Sequence, residues 1–411
     1  MIRKTVSTIL GVLFASQLVM GGGPVYSRFA LGDILHFGSN RAYAMGIVGV
    51  AFTEDGFVNI YNPASLSRLS LTRFAAGFEY RNSSIEDALG SQNHATGGFQ
   101  SLALAIPVSK SNGIALFGAA APYSIVDYEV AVREGAGSGA STQTFSGTGG
   151  ISNLSLGATL RPVNDLSLGL TYTYHYGTIQ YRSELDFDDA AFADNEVRRS
   201  QYFSGSSVTV GMTYDGFTSI LGLPASHPLT LGAVLTTPAS LSIKEERLLL
   251  TENSSDTALV LRGTGTLPFR WGLGASYAAS SMVVSGDLAV EQWGSANFFE
   301  PPAVEIRNSL RAGLGVEFPP KRDPVTYWER VAYRAGFTYN ASYISVNGQP
   351  INGWSLSGGI AFPIGPDARL NLGLQAGSRG TTENGLTKET FFKLSLSLDA
   401  SETWFVTIEE D

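Results

Sequence analysis

The run Leu166-Ser167-Leu168-Gly169-Leu170-Thr171-Tyr172-Thr173-Tyr174-His175-Tyr176 puts an apolar or aromatic side chain on every second residue. A period of two belongs to an extended strand with two chemically different faces. The pattern recurs where Leu154, Leu156, Ala158 and Leu160 alternate with Asn153, Ser155, Gly157 and Thr159. It returns at Leu370, Leu372, Leu374 and Ala376, and again at Phe392, Leu394, Leu396 and Leu398. A soluble sandwich also alternates, but it buries its large side chains and keeps its polar face charged and wet. Here the polar face is mainly Gly, Ser and Thr, and charged residues are only 15% of a chain that is 44% hydrophobic. Runs of this kind approach the ~9–11 residues that a transmembrane strand needs. The fold expected is all-β: a transmembrane antiparallel β-barrel.

Fourteen such segments can be read, near 72–81, 97–108, 112–123, 150–162, 165–181, 201–214, 228–243, 268–278, 281–293, 308–318, 330–342, 353–363, 368–379 and 388–399. Tight turns fall at Ser109–Gly113, Pro162–Asp165, Ala278–Ser281 and Pro363–Arg369. Long connections run through 82–96, 124–149, 182–200, 244–267, 294–307 and 343–352. Short turns on one side, long loops on the other and an even strand count suit an outer-membrane barrel. Connections 215–227 and 319–329 are longer than that pattern expects on the short side. Tyr172, Tyr174 and Tyr176 cluster at one strand end, and Trp271, Tyr277, Tyr333 and Tyr339 lie on apolar faces, as interfacial girdles do.

The N-terminus reads as an export signal over residues 1–23: Arg3 and Lys4, a short apolar stretch, then Gly21 to Gly23. No other run is apolar enough for a spanning helix. The net charge of −9 disfavours nucleic acid as a partner. The chain has no cysteine, which removes disulfides, thiolate metal sites and cysteine nucleophiles. No cofactor and no metal site is expected, and the chain does not read as an enzyme. His175 stands by itself, and the acidic run Asp186, Asp188, Asp189, Asp194 and Glu196 has no EF-hand spacing. The Gly-rich stretch 135–150 lacks a Walker lysine.

Residues 24–71 do not alternate, and they are too apolar for a free linker. They contain Gly46-x-x-Gly49-Val50-Ala51, Asp55 and Tyr61-Asn62-Pro63-Ala64. This series resembles the N-terminal hatch of the FadL family. Leu166-Ser167-Leu168-Gly169, Leu229-Thr230-Leu231-Gly232-Ala233 and Leu267-Pro268-Phe269-Arg270-Trp271-Gly272-Leu273-Gly274 are similar to its strand starts. The resemblance covers essentially the mature chain, and its most diagnostic piece is Asn62, Pro63 and Ala64. It implies a fourteen-stranded barrel plugged by the hatch, carrying hydrophobic molecules across the bacterial outer membrane. It also implies a kink in the third strand that opens sideways to the bilayer. The domains expected are a signal at 1–23, a hatch at 24–71, a barrel at 72–399 and an acidic tail at 400–411.

Candidate sites follow. Gly118-Ala119-Ala120-Ala121-Pro122 puts small residues beside a proline that cannot donate a ladder hydrogen bond. Gly118, Ala120 and Pro122 are therefore candidates for a lateral opening, the alternative being that Pro122 only ends the strand. By alternation Glu79, Arg311, Glu317, Arg334 and Lys393 face the lumen, as a cradle for hatch residues Asp33, Arg41 and Arg68 or as independently solvated charges. Glu79 and Lys393 are expected to be neighbours where the barrel closes. Phe187, Phe192, Leu249, Phe298 and Phe299 are ligand candidates on the outer loops, with packing of loop against loop as the alternative.

The function expected is passive outer-membrane transport of hydrophobic compounds such as long-chain fatty acids or aromatic hydrocarbons. The partners would be outer-membrane lipid and small apolar molecules. The alternative is a docking or shuttle protein holding exported or periplasmic proteins, as FadL-like barrels do in type IX secretion. A continuous apolar tunnel favours the first; an obstructed lumen favours the second.

Overall fold

The computed structural model describes residues 25–402 except 37, 54, 88–89, 135–139, 190–191, 252–253 and 366. The expected signal and all but the start of the acidic tail lie outside the described residues. Nineteen strands form one sheet: β1 Asp33–Ile34, β2 Thr72–Glu86, β3 Ser91–Ser109, β4 Ile114–Pro122, β5 Ser124–Glu134, β6 Ser141–Val163 and β7 Leu166–Phe187, then β8 Asn195–Tyr214, β9 Leu229–Thr236, β10 Ala239–Thr251, β11 Ser254–Leu267, β12 Arg270–Ala278 and β13 Val283–Glu291. The last six are β14 Glu305–Ile306, β15 Ser309–Phe318, β16 Ala332–Val346, β17 Gln349–Pro363, β18 Ala368–Gly380 and β19 Lys388–Glu402. Neighbours pair antiparallel, and β19 closes on β2 from Lys388↔Glu86 to Glu402↔Thr72. The pairs β4/β5, β9/β10 and β11/β12 each form one broken stave, while β1 and β14 are two-residue additions, so the wall has fourteen staves.

Each break sits beside a proline: Pro122, Pro238 and Pro268. Proline removes the ladder donor and fixes φ, so a long stave bends or breaks there. At Pro238 and Pro268 the two broken staves stay paired with each other below and above, as β9–β12 and β10–β11. The free edge of β11 is met by the following excursion, where the Thr266 N–H donates to the Asn297 carbonyl at 2.8 Å. At Pro122 the result is different. β3 pairs with β4 only up to Leu102↔Ala120, while β5 pairs with β6.

The wall obeys the alternation. Leu154, Leu156, Leu170, Tyr172, Tyr174 and Tyr176 are exposed on the outer face. Thr171, Thr173 and His175 between them are buried toward the lumen. The short turns form as expected, but several long connections are corrected. Residues 82–96, 124–149, 182–200 and 244–267 are largely strand, as in the ladder from Gln180↔Thr148 to Phe187↔Ser141. Above the bilayer no outward apolar face is needed, so the alternation fades while the backbone ladder continues in water. The long connections on the other side are ordered as well: 215–227 holds a short helix Phe217–Ile220, and 319–329 holds most of a 3-10 turn Tyr327–Arg330.

Residues 25–71 run through the barrel from its hairpin end to its short-turn end. Tyr26 hydroxyl donates to the Thr387 carbonyl near the first, and Arg68 pairs with Asp215 near the second. Between them lie a helix Asn40–Ala44, capped by Ser39 Oγ accepting from the Ala42 N–H at 3.1 Å, and a 3-10 helix Pro63–Arg68. Met45, Val48 and Val50 are fully buried.

Candidate functional site

The inner wall is shaped to the main chain of this segment. Gly313, Gly315 and Gly336 lie flat against Met45 and Gly46, and a Cβ at any of them would overlap that backbone. Gly46 has φ +77 and is itself pressed on the Phe337 and Leu314 carbonyls, a conformation and a clearance open only to glycine. Gly169 receives the Pro63–Ala64 main chain and Gly232 the Val50 main chain in the same way, while Gly211 makes room for the Asn62 and Pro63 side chains.

Polar anchors complete the fit. Asp287 Oδ2 accepts from the Gly49 and Val50 N–H groups at 2.6 and 2.9 Å. Asn62 Nδ2 donates to the Val50 carbonyl at 2.6 Å and to the Met212 carbonyl at 3.2 Å, while its Oδ1 accepts from the Ala64 N–H. Pro63 opens the 3-10 helix where no N–H is needed, and Ala64 is fully buried. Tyr61, just before this block, is held between the guanidinium groups of Arg270 and Arg311 at 5.3 and 5.1 Å.

The five lumen charges of the sequence reading all lie on the inner side, and four of them have ionic partners. Glu317 binds Arg41 and stands 3.5 Å from Arg334. Arg41 also lies 4.4 Å from the rings of both Phe52 and Phe57. Lys393 Nζ is 3.4 Å from Glu79 where the barrel closes. Arg311 donates to the Tyr61 hydroxyl at 2.8 Å, and its other terminal nitrogen has no hydrogen-bond partner among the described residues. Asp33 pairs with residues the sequence reading overlooked: Arg379 takes it bidentately at 2.7 and 2.8 Å, and Arg81 lies at 3.6 Å. Glu389 joins both arginines, at 2.7 Å from Arg81 and 2.6 Å from Arg379. Asp287, Arg270, Arg81, Arg379 and Glu389 were legible in principle, because parity places each on the inner face of its stave.

Two larger cavities remain around this packing. One, of about 460 Å³, lies between the N-terminal segment and the break at Pro122. Gly97, Gly98 and Phe99 wall one side, Pro122, Ile125 and Val126 the other, and Arg311 and Lys393 also line it. Across its mouth His94 faces Asp127 at 3.6 Å, but no ladder bond joins β3 to β5 among the described residues. Instead β1 pairs with β5 from within, Asp33↔Ile125 and Ile34↔Ser124. The break lies level with Tyr176, since Pro122 is paired with Ser152 and Ser152 with Tyr176.

Parity corrects the lateral candidates. Ala119 and Ala121 face inward, whereas Gly118 and Ala120 share the lipid-side parity of exposed Leu116, with Gly118 against Leu156. Of the three candidates only Pro122 lines the cavity.

A second cavity of about 260 Å³ lies at the hairpin end, lined by Phe298, Phe299, Phe29, Tyr181, Phe203 and Glu300. Phe187 and Phe192 are elsewhere, with ring centroids 5.3 Å apart, and Leu249 is exposed on β10. The five aromatic and aliphatic candidates therefore do not form one groove. His175 is hydrogen-bonded at both ring nitrogens, to Asn153 at 2.7 Å and Ser207 at 2.8 Å, and fills a wall position. Within the acidic run Asp188 pairs with Arg133, Glu196 pairs with Arg182, and Asp194 accepts from the Phe187 N–H. No metal-holding group of carboxylates and histidines occurs among the described residues.

A family model described as BamG matches residues 1–409. The chain belongs to the BamG family. None of the curated proteins matches it in sequence. Its fold is similar to solved structures of low identity. The Ralstonia pickettii toluene transporter TbuX is 13% identical, with TM-score 0.58, covering 89% of this chain and 99% of that one. A Pseudomonas aeruginosa FadL homologue is 11% identical, with TM-score 0.59, covering 91% and 100%. The P. putida toluene transporter TodX is 13% identical, with TM-score 0.58, covering 91% and 100%. This BamG-family chain thus has the closed fourteen-stranded barrel of FadL-type proteins.

Proposed function

We propose that this protein sits in the bacterial outer membrane and lets hydrophobic compounds pass from the outer side into the barrel wall and out sideways. The observation that carries the reading is the 460 Å³ cavity at the stave break, where no ladder joins β3 to β5 among the described residues. Residues 24–71 act as a hatch that closes the straight path, so a ligand leaves through the break. The cavity at the hairpin end, with Phe298 and Phe299, receives the ligand first. The fold of the toluene transporters and of the FadL homologue supports this reading. An apolar body with an anionic end, as in a long-chain fatty acid, suits Phe99, Ile125 and Val126 beside the unpartnered Arg311 nitrogen. Movement follows the concentration gradient.

A second reading, a docking protein for exported proteins, draws on the plug itself. Glycine contacts and buried ion pairs hold it along the full height of the lumen. Native mass spectrometry of the protein gently extracted from its own membranes separates the two. A bound lipid-sized mass supports transport; a stoichiometric protein partner without small ligand overturns it in favour of docking.

A further inference from the structure

Asp127 fixes the direction of the main chain along β5. Its N–H donates to Ser27 Oγ, and the Ser27 hydroxyl donates back to the Asp127 carbonyl, both at 3.1 Å. Its peptide groups therefore point away from β6, making Asp127↔Thr148 a non-hydrogen-bonded pair of the β5–β6 ladder. The register runs without a shift to Glu134↔Ser141, so Glu129, Ala131 and Arg133 direct their peptide groups the same way. On that side no strand pairs with them among the described residues. Lower on the same edge the protein already adds a strand, β1, at Ser124 and Ile125, and the Leu35 N–H donates to the Tyr123 carbonyl at 2.8 Å. The edge is thus competent for pairing, used at its base and open above.

A free edge is a template for another extended chain. Native proteins blunt such edges with proline, bulges or covering loops, as the excursion through Asn297 does for β11 at Thr266. Glu129, Ala131, Val132 and Arg133 are exposed.

We propose that the β5 edge from Glu129 to Arg133 docks an extended segment of a partner polypeptide by β-strand addition, continuing outward the ladder that β1 begins. The partner strand lies between β5 and the upper part of β3, above the cavity, where Gln92 and Asn93 are exposed. Its side chains toward the seam are accordingly small or polar. This goes beyond transport and does not depend on it.

Proline scanning by parity tests the idea. Ala131→Pro removes an N–H that points to the open side, leaves the β5–β6 ladder intact and is tolerated at an edge. Val130→Pro removes a ladder donor and serves as the hairpin-breaking contrast. A photoreactive residue is placed at Val132, and the full-length protein is irradiated in its native outer membrane. Amide hydrogen exchange is followed there and again in detergent. The expected result is slow exchange at Glu129, Ala131 and Arg133 in the membrane only. A polypeptide adduct at Val132 falls at least tenfold in Ala131→Pro, whose barrel stays heat-modifiable. Free exchange in both settings, a lipid adduct, or a polypeptide adduct indifferent to Ala131→Pro overturns the proposal. Uptake of hydrophobic compounds by Ala131→Pro is unchanged, so failure here and failure of the transport reading are told apart.

Discussion

Arg41 is the side chain on which the grip of the hatch can be measured. It is 2% exposed, pairs with Glu317 and sits between Phe52 and Phe57. Arg41→Met keeps much of the volume and removes the charge. Taking one partner from a buried pair costs about 3–5 kcal/mol, because the other charge stays behind. Here Arg334, 3.5 Å from Glu317, compensates part of that, so the lower end, about 3 kcal/mol, is expected. At roughly 1.4 kcal/mol per tenfold, the released state of the segment rises about a hundredfold. The barrel wall is barely affected, since its ladder does not involve Arg41.

The absence of native cysteine makes the assay direct. A single Val48→Cys, at a fully buried position of the segment, reacts with a maleimide only when the segment releases. Labelling in the Arg41→Met background should accelerate about a hundredfold, while the heat-modifiable shift of the barrel on a gel is unchanged. Adding Glu317→Gln removes the stranded carboxylate and should recover at least a tenfold part of the loss. An acceleration below tenfold, or a double variant as loose as the sum of the two singles, refutes the ion pair as a fastening of the hatch.

Three further outcomes follow from the geometry. Gly336→Val drives a branched side chain into the Gly46 main chain, so the variant inserts as a closed barrel but shows larger single-channel conductance than the parent. A Cβ at Gly98 meets nothing within 4 Å, so Gly98→Trp fills the cavity mouth without a folding cost and should lower uptake of apolar probes several-fold. Ala120→Trp, on the lipid side, should not, and equal uptake in both variants counts against the lateral route. Glu329 accepts from the Lys321 ammonium and from the Val325 and Thr326 N–H groups, the ammonium bond being the leading cause that holds its carboxyl near about 2. That lies below the 4.5 of the free side chain, so its contribution to the 319–329 turn is complete above about pH 4.5 and disappears as pH falls toward 2. Trp328 fluorescence should follow that window and lose it in Glu329→Gln.

The wall was legible because the bilayer imposes a strict period: lipid outside, small or polar residues inside, one register slip away from failure. Beyond the bilayer that constraint ends. The extensions of β7 and β10, with Arg182, Lys244 and Arg247 on them, therefore look like loops in sequence while remaining strand. Pro122 signalled a break, but Gly118 and Ala120 could be assigned to a face only once the register to β6 was known. The phenylalanines illustrate the other limit. Phe298 and Phe299 meet Phe29 because the N-terminal segment climbs to the hairpin end, a long-range path that no local pattern encodes.

The same physics explains how the N-terminal segment is held in the lumen. The segment has little regular structure, so peptide groups left over by its turns, such as those of Leu35, Gly46, Gly49 and Val50, take partners on the wall. Asn62 and Asp287 answer that demand with side-chain atoms aimed at main-chain groups. The glycines answer it by letting main chain approach main chain. Both devices act beside the side-chain fastenings at Asp33, Arg41 and Tyr61. At the break itself the segment joins the wall as a strand, through the β1–β5 pairing. On the proposed reading, a fastened segment and a sideways route belong together, because closing the axis leaves the break at Pro122 as the way out.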